Sequence, residues 1–496
     1  MAKITKEHII LVLIFILVLA TRLALVFPQK SFDYEAYGTL RQAEHIRDTG
    51  LPLYNDPLSY SGRTLVFPPL FEYLLAGFSF LMPLEMAAKI IPNLLFASLT
   101  LIIYLIAKQM TKNKASALLA AFFSGFVPII YSSTNQASPY SLGLPLIFLL
   151  SYAFLKIDEK GFATWNIILA ILLLLAHPSF FMLLISFLVY FLLIRITNQE
   201  LSKREVEITL FTFFLALWFN LLLFKRAFFM HGIRFIWQNI PSPLLSTYFT
   251  DVSFLGIIYA VGVVPLLLGV YAIYHVLFKI KSRAATLYLS FALVSFAMLW
   301  LKLIPFTAGL LFLSINMILL SAHSTKLILV GISKSKKPGL ANLFVIVAIA
   351  LFVLTAITPL IITANAESKN SPPKEDMAAL QWMKNNIPSN SVVLGSIEEG
   401  FLINQVAHQK NIADQNFLLI NNIDQRYYDI EHIFTFRLKA EAIRLINYYD
   451  IDYIFLSTKA MEKYNITELF YADPECFELA YDSQAKVYKF LGCKVE

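Results

Sequence analysis

Long apolar runs constrain the fold of this chain more than any other feature of its sequence. A helix that crosses a lipid bilayer needs about 20 predominantly apolar residues. Runs that reach or approach this length recur along most of the chain. We therefore predict about eleven membrane-spanning helices. They cover residues 9–27, 86–107, 115–131, 138–156, 164–177, 179–195, 208–224, 254–278, 284–301, 305–322 and 340–362.

The composition favours the same class of protein. Hydrophobic residues make up 58% of the chain and charged residues only 15%, whereas about a quarter of the residues in a soluble protein are charged. The formal net charge of +7 comes from short basic clusters between the apolar runs, which suit the anionic cytoplasmic leaflet rather than nucleic acid. The first run exceeds the about 7 to 15 residues of a signal-peptide core, so we expect a retained helix.

The basic clusters also predict the orientation in the membrane. If Lys3 and Lys6 are cytoplasmic, every second connection is cytoplasmic too, and all five of those connections carry Lys or Arg. We therefore expect a multi-pass protein of the cell membrane with a cytoplasmic N-terminus. Its outer segments are then residues 28–85, residues 225–253, the turn at Lys302 and the tail from residue 364.

We divide the chain into a helical membrane domain, 1–363, and a small extracytoplasmic α/β domain, 364–496. The tail contains strand-like runs such as "SVVLG", "DYIFLS" and "AKVYKFL", and helical runs such as "MAALQWMKNN" and "LKAEAIRLINYYD". In the large first outer loop, 28–85, the proline-broken run 67–83 favours an interfacial or re-entrant helix. Cys476 and Cys493 form either a disulfide or two free buried thiols.

Two acidic residues, Asp33 and Glu35, follow the first apolar run. The residue pattern alone favours a cap for a helix that ends at Gly50. The alternative is a functional carboxylate at the membrane surface, which could act as a general base or hold a divalent cation.

Basic residues on the predicted outer side run against the orientation rule. Snorkelling to lipid headgroups explains Lys225 and Arg226, whereas Lys302 lies between two apolar runs, where either snorkelling or an anionic ligand such as a phosphate would explain it. Arg63 is expected to pair structurally with Asp56.

One further ionisable residue and the absence of several motifs also bear on the function. His177 interrupts an apolar run, where a capping or packing role is favoured over acid–base chemistry. The sequence has no P-loop, GxGxxG, GxSxG or HExxH pattern, which argues against a nucleotide motor or a familiar hydrolase.

The stretch "FDYEAYGTLRQAEHIRDTGLPLYNDPLSYSGRTLVFPPLFEYLLAG" resembles the first outer loop of membrane glycosyltransferases with the GT-C fold. Within that superfamily it is most similar to the catalytic subunit of archaeal and bacterial oligosaccharyltransferases. The matching positions are an acid after the first helix, Tyr37, Arg41, Gly50-x-Pro52, Asp56-Pro57-Leu58-Ser59, Gly62-Arg63 and Phe67-Pro68-Pro69-Leu70.

The resemblance implies an enzyme that transfers a sugar or oligosaccharide from a polyprenyl phosphate or pyrophosphate to a protein or lipid acceptor. Its partners would be the lipid-linked donor, the acceptor and membrane lipids. By the match, Asp33 would activate the acceptor and hold Mn²⁺ or Mg²⁺, with Glu35 as the weaker candidate. Lys302, Arg234 and Arg63 are the candidates for binding the donor phosphate.

The sequence departs from the family pattern in three places. Where the second acidic motif is expected, "STNQASPYSLGLPL" has no carboxylate, and the only acid near the expected later glutamate is Asp251. In place of the acceptor-binding WWDYG, the chain has Ser396, Ile397, Glu398, Glu399 and Gly400. The last three, with His177, are the candidates on the acceptor side. These departures leave a metal-independent reaction open.

Three functional classes follow from these observations. A polyprenyl-phosphate-dependent glycosyltransferase ranks first. A non-catalytic relative that binds a lipid-linked glycan or a partner ranks second, because fold does not guarantee chemistry. A transporter ranks last, since the inverted repeats and buried mid-membrane charges typical of that class are not visible.

Overall fold

The computed structural model describes residues 5–279, 281–335 and 337–494. Up to Lys369 the regular structure is almost entirely helical. The helices are α1 Lys6–Val26, α2 Ala36–Thr49, α3 Leu70–Ser79, α4 Leu84–Thr111, α5 Lys114–Phe126, α6 Tyr140–Leu155, α7 Phe162–Ala176, α8 Phe180–Ile196, α9 Lys203–His231, α10 Leu245–Tyr248, α11 Phe254–Val261, α12 Val263–Phe278, α13 Arg283–Trp300, α14 Phe306–Ser333 and α15 Leu340–Lys369.

Each apolar run predicted to span the membrane is helical in the structure. Six helices in the described part of the chain are long and apolar enough to cross a bilayer: α1, α4, α9, α13, α14 and α15. A seventh span is formed if α11 and α12, which meet at a bend of 108°, are counted together. The protein is thus a mostly helical, multi-pass membrane protein, and the count of about eleven spans stays a prediction.

Helix α14 is the centre of the helical part. Its residues from 308 to 325 are all buried, and it packs against α12, α13 and α5. Gly269 of α12 lies directly against Met317 of α14, so the lack of a side chain lets the two backbones approach closely. By contrast, α9 and α15 expose large apolar side chains, including Trp218 and Leu354, as expected for helices that face lipid.

The first outer loop is ordered and has its own short elements. Helix α2 ends at Gly50, whose positive φ of 79° and N–H···O bond to Ile46 close the last turn. Strands β1 Asn55–Asp56 and β2 Arg63–Thr64 then form a small antiparallel hairpin. Helix α3 occupies part of the run for which we predicted an interfacial helix.

The C-terminal part is an α/β structure. It consists of helices α16 Lys374–Asn386, α17 Gly400–Leu402, α18 Ile423–Thr435, α19 Lys439–Tyr448 and α20 Thr458–Tyr464, and strands β3 Val392–Leu394, β4 Lys410–Asn411, β5 Tyr453–Leu456, β6 Phe477–Asp482 and β7 Lys486–Phe490. The strand order is β4-β3-β5-β7-β6. Strand β3 is parallel to both β4 and β5, whereas β7 pairs antiparallel with β5 and β6.

The strands and helices in the tail agree with the sequence patterns. Strands β3, β5 and β7 lie in the three predicted strand segments, and α16 and α19 lie in the two predicted helical segments. The proposed domain boundary at 363/364 falls inside α15, which continues to Lys369. Of the two alternatives for the cysteines, the structure has the disulfide, Cys476–Cys493, which joins the start of β6 to the end of β7.

The loop of residues 28–85 docks on the carboxyl ends of the parallel strands. The carboxylate of Asp414, three residues after β4, is fully buried and accepts hydrogen bonds from Ser59 Oγ at 2.5 Å and Arg63 Nη2 at 2.8 Å. The amide N–H of Asn411 donates to the carbonyl of Leu58 at 2.9 Å. The expected side-chain pair of Arg63 with Asp56 does not form.

The reason is the geometry of the hairpin. Asp56 and Arg63 are opposite each other in the β1–β2 register, but Asp56 accepts two hydrogen bonds from Arg41 of α2, at 2.8 and 2.9 Å. Arg63 instead points to the C-terminal part. Each arginine therefore has its own buried carboxylate.

We predict that Asp414→Ala destabilises the protein by roughly 3–5 kcal/mol, because it leaves the buried Arg63 guanidinium without its counter-charge. Thermal unfolding of the purified protein and limited proteolysis of the first loop measure this effect. Glu478→Ala is the control, since its ion pair with Lys489 is exposed and is expected to contribute less than about 1 kcal/mol. Equal shifts for both variants would contradict a structural role for Asp414.

Candidate active site

The acidic residues Asp33 and Glu35 lie in the turn between α1 and α2. Asp33 Oδ1 accepts a hydrogen bond from the backbone N–H of Glu35 at 2.7 Å, and its carbonyl accepts one from Ala36 N at 3.2 Å. Asp33 therefore closes the turn that precedes α2, whose N-cap residue, Glu35, makes no side-chain capping hydrogen bond. The Asp33 carboxylate has further interactions, with other segments of the chain.

The segment that replaces the second acidic motif lies against Asp33. The side chain of Gln136 hydrogen-bonds the Asp33 carboxylate, and the carbonyl of Asn135 accepts from Asp33 N at 3.4 Å. Neutral amides thus stand beside Asp33 at the position where the family pattern has acids. Residues 133–136 bring these amides to the site.

A buried arginine fixes the segment that carries these amides. Arg22 of α1 is fully buried and donates to Asn93 Oδ1 at 2.9 Å, to the carbonyl of Ile130 at 2.7 Å and to Ser133 Oγ at 3.2 Å. Its guanidinium also lies 4.7 Å from the ring centroid of Phe96. Arg22 therefore helps to place residues 130–136 beside Asp33.

Burial raises the pKa of the Asp33 carboxyl above its usual range, although the N–H of Glu35, Lys459 and Gln136 oppose this shift. For Glu35, burial and then repulsion from Asp33 raise the pKa to about 7. The Glu35 side chain is nevertheless exposed to solvent. Protein atoms therefore surround a carboxylate that water still reaches, and we call the space around Asp33 and Glu35 the cleft.

Two tyrosines border this cleft. Tyr140, the first residue of α6, lies within electrostatic range of Glu35. Tyr248 of α10, in the segment 225–253, lies within electrostatic range of Glu35, Asp33 and Glu398, and its hydroxyl accepts from Gln415 at 3.5 Å. The first loop, the start of α6, the loop after α9 and the C-terminal part therefore all contribute to one site.

The C-terminal part brings charged side chains from the carboxyl ends of β3 and β5. Lys459 follows β5, and its Nζ lies 3.9 Å from the ring centroid of Tyr34, the residue between the two acids. It lies within electrostatic range of both Asp33 and Glu398. Lys463, one turn further along α20, pairs with Glu398 at 3.2 Å, and these lysines hold the pKa of Glu398 below its usual range despite burial.

Glu399 and Gly400 have structural surroundings. The buried Glu399 carboxylate accepts from Ser396 N at 2.8 Å and from the Ser457 hydroxyl, so it joins the ends of β3 and β5. Its pKa is raised to about 7, mainly by burial. A side chain at Gly400 would overlap the carbonyl of Ala413 and the Cα of Asp414, so this position requires glycine for close backbone packing.

His177 reaches the site only through Tyr140. It is the C-cap of α7, its Nδ1 accepts from Ser179 N at 2.9 Å, and its ring centroid lies 4.0 Å from that of Tyr140. The packing role favoured from the sequence therefore fits its surroundings. Tyr140 in turn lies within electrostatic range of Glu35, so His177 contacts a residue that borders the site.

The three candidate cations for a donor phosphate each have an acidic partner. Lys302 Nζ lies 2.7 Å from Asp251, Arg234 lies 2.9 Å from Asp424, and Arg63 pairs with Asp414. Their contacts do not connect them to Asp33. Lys459, which we did not predict from the sequence, is a basic side chain that does lie within electrostatic range of Asp33.

The donor groups around Asp33 can be compared with the needs of a divalent cation. No group of three or more His, Cys, Asp or Glu side chains is placed to hold a metal in the part of the chain that the structure describes. Asp33 and Glu35 supply carboxylates, but the adjacent segment supplies the amide of Gln136 and the hydroxyl of Tyr140. These residues do not fit a three-ligand Mn²⁺ or Mg²⁺ site.

At the level of sequence, neither a family model nor a curated protein matches this chain. Solved structures do match. The archaeal oligosaccharyltransferase AglB from Archaeoglobus fulgidus, in complex with an inhibitory peptide and a dolichol-phosphate, superposes with a TM-score of 0.71 at 15% identity, over 91% of this chain and 70% of that chain. This chain has the GT-C fold.

Two further structures support the assignment of the GT-C fold. The A. fulgidus enzyme in complex with Zn and sulfate matches with a TM-score of 0.67 at 15% identity, over 90% of this chain and 68% of that chain. ArnT from Cupriavidus metallidurans, bound to undecaprenyl phosphate, matches with a TM-score of 0.56 at 10% identity, over 96% and 97% of the two chains. At these identities the likeness concerns the fold.

Gly400→Ala tests the close packing behind Glu398. The new Cβ must displace the backbone at residues 413 and 414, and overpacking of this kind costs roughly 1–3 kcal/mol or more. We expect a lower thermal midpoint for the purified protein. Gly77→Ala is the matched control, because no atom outside its own helix backbone lies within 4 Å of its Cβ position and helical alanine is favourable. An equal midpoint for both variants would contradict the packing argument.

Proposed function

We propose that this protein is a membrane glycosyltransferase that transfers a sugar or oligosaccharide from a polyprenyl phosphate or pyrophosphate donor to a protein or lipid acceptor. The observation that carries the proposal is the cleft that contains Asp33 and Glu35. It lies where the first outer loop, the start of α6 and the C-terminal part of a GT-C fold meet. AglB and ArnT have been solved with dolichol-phosphate and undecaprenyl phosphate, and these ligands support a lipid phosphate as the leaving group.

In this proposal Asp33 is the general base. Its carboxylate removes a proton from the acceptor nucleophile as the nucleophile forms a bond to the anomeric carbon of the sugar. The bond between that carbon and the phosphate oxygen breaks, and the electron pair leaves with the phosphate. Because burial raises the pKa of the Asp33 carboxyl, its basicity is better matched to neutral pH than that of an exposed aspartate.

Other residues would position the base and balance its charge. Gln136 orients the Asp33 carboxylate through its hydrogen bond. Lys459 lies within electrostatic range of Asp33 and could counter the charge that develops on the leaving phosphate. The proposed step uses these side chains, since the donor groups around Asp33 do not fit a three-ligand metal site.

The acceptor would approach from the C-terminal part. Glu398, Tyr34 and Lys459 lie on that side of the cleft, in place of the tryptophan-rich WWDYG. We therefore do not assign an Asn-x-Ser/Thr acceptor, and Glu399, Gly400 and His177 support the surrounding structure rather than contact a substrate.

The cleft would lie on the outer face of the cell membrane. Alternating basic connections support a cytoplasmic N-terminus. The disulfide between Cys476 and Cys493 supports an oxidising compartment for the C-terminal part.

A non-catalytic relative that binds a lipid-linked glycan is the second candidate. One observation favours it: the segment beside Asp33 presents the amide of Gln136 rather than a second carboxylate, so one aspartate would have to supply the base. Turnover separates the two candidates, since binding alone is common to both.

Asp33→Asn keeps the size and a hydrogen-bonding oxygen but removes the base. We expect a roughly 10²- to 10⁴-fold loss of transfer, with donor binding and thermal stability retained. The assay uses purified protein reconstituted in liposomes with a panel of dolichol- and undecaprenyl-phosphate-linked hexoses and oligosaccharides. Asp48→Asn, on the exposed end of α2, is the control. Wild-type turnover that Asp33→Asn leaves intact would exclude Asp33 as the base.

Glu35→Gln tests the electrostatic coupling between the two acids. A base must be ionised, and because burial raises the pKa of the Asp33 carboxyl, wild-type transfer should rise with pH over a range above that of an ordinary aspartate. The charges of Asp33 and Glu35 repel each other, and removing the Glu35 charge removes this repulsion from Asp33. The rising limb of the pH–rate profile should therefore move to lower pH in Glu35→Gln, and an unchanged profile would contradict the coupling.

A further inference from the structure

A cavity separate from the Asp33 site lies where the β1–β2 hairpin, the end of α9 and the start of α18 meet. Its volume is about 430 Å³, and three arginines line it: Arg63, Arg226 and Arg426. Tyr60 and Asn421 are among the other lining residues. Among the described residues that line this cavity there is no acidic side chain.

Two hydrogen bonds hold Arg63 in place, and its Nε–H has no partner among the described residues. Its Nη2 donates to Asp414 at 2.8 Å and its Nη1 to the carbonyl of Asn416. Only 4% of its side chain is exposed, yet its buried Nε–H makes no hydrogen bond within the described chain. A buried donor without a partner is costly, and a ligand in the cavity that Arg63 lines could accept from it.

Arg426 has a fixed guanidinium without a carboxylate. It donates to the carbonyl of Ile412 at 2.9 Å and lies between two rings, 5.3 Å from the centroid of Tyr60 and 5.2 Å from that of Tyr449. No ion pair of Arg426 with a carboxylate occurs in the described residues. Its position is therefore set by packing and a backbone contact, and its charge stays uncompensated.

Arg226 lies at the end of the apolar helix α9. Its side chain is exposed and has no hydrogen bond or ion pair to another described residue. On the same helix, Trp218, Leu222 and Phe229 expose 60, 52 and 80% of their surface, as expected where α9 faces lipid. The cavity thus opens beside the membrane surface.

We propose that Arg63, Arg226 and Arg426 form a binding site for a phosphate group at the membrane surface. Three arginines line the cavity and Asp414 neutralises one of them, so the remaining positive charge favours an anion there. Guanidinium groups donate in the fork geometry that phosphate oxygens accept. The phosphate is either that of a lipid headgroup, with its chains along α9, or a free phosphate ion.

The test uses the full-length protein in neutral detergent and in nanodiscs. Binding of inorganic phosphate is measured by calorimetry in detergent. Retention of phosphatidylglycerol over phosphatidylcholine is measured by native mass spectrometry after exchange from mixed nanodiscs. Binding of inorganic phosphate alone identifies a free ion, and retention of phosphatidylglycerol alone identifies a lipid headgroup; either result supports the site.

Arg226→Ala is the main variant, because Arg226 has no partner among the residues that the structure describes and its loss should not affect folding. We expect at least about tenfold weaker binding of the phosphate group, as for the loss of one charge-assisted hydrogen bond. Arg426→Lys keeps the charge but not the fork and should weaken binding less than Arg226→Ala does.

Lys225→Ala is the matched control, since Lys225 is the adjacent exposed cation and does not line the cavity. It should leave binding unchanged. Equal losses in Arg226→Ala and Lys225→Ala would mean general attraction to a basic surface and would overturn the site. Failure of the wild type to bind phosphate or to prefer phosphatidylglycerol would overturn it too. None of these measurements requires sugar transfer, so the outcome is independent of the proposed function.

Discussion

The carboxylate of Asp414 holds the first outer loop against the α/β part of the chain, and the geometry of the candidate site depends on this contact. Burying a carboxylate and a guanidinium costs desolvation energy on both sides. Here Ser59, Arg63 and the side-chain amide of Asn411 all donate to Asp414, so the buried charge is paired and hydrogen-bonded. Because Asp33 and Glu35 belong to the same loop, this contact also fixes them relative to Glu398 and Lys459.

The topology of the sheet explains why these particular residues meet. Strands β4, β3 and β5 are mutually parallel, so the residues that follow them emerge at one edge. Asp414 follows β4, Glu398 follows β3 and Lys459 follows β5. One of them anchors the loop, and the other two border the cleft. The antiparallel strands β6 and β7 extend the sheet on the far side and are closed there by the disulfide.

Local patterns in the sequence predicted most of the fold. Apolar runs marked the helices, Gly50 marked the end of α2, and short apolar or alternating runs marked β3, β5 and β7, because hydrophobic patterns and turn chemistry are local properties. The partner of Arg63 lies 351 positions away, and a local pattern predicted Asp56 instead. The cleft was predicted only in part: the loop motif identified Asp33, but Lys459 and Gln136 became visible only in three dimensions. A charged residue just after the buried strand "YIFL" was the signal available for Lys459.

The charge balance around Asp33 distinguishes this site from one built around a divalent cation. A cluster of three or four carboxylates at one point repels itself and needs a strong positive charge to remain ionised. In this chain the adjacent segment presents the neutral side chain of Gln136, so the local acids are Asp33 and Glu35, and a single lysine, Lys459, lies within electrostatic range of Asp33. Lys459 offsets part of the Asp33 charge, and burial raises the pKa of both carboxyls, that of Glu35 to about 7. With only these two carboxylates beside the neutral Gln136, there is less mutual repulsion for a metal ion to offset.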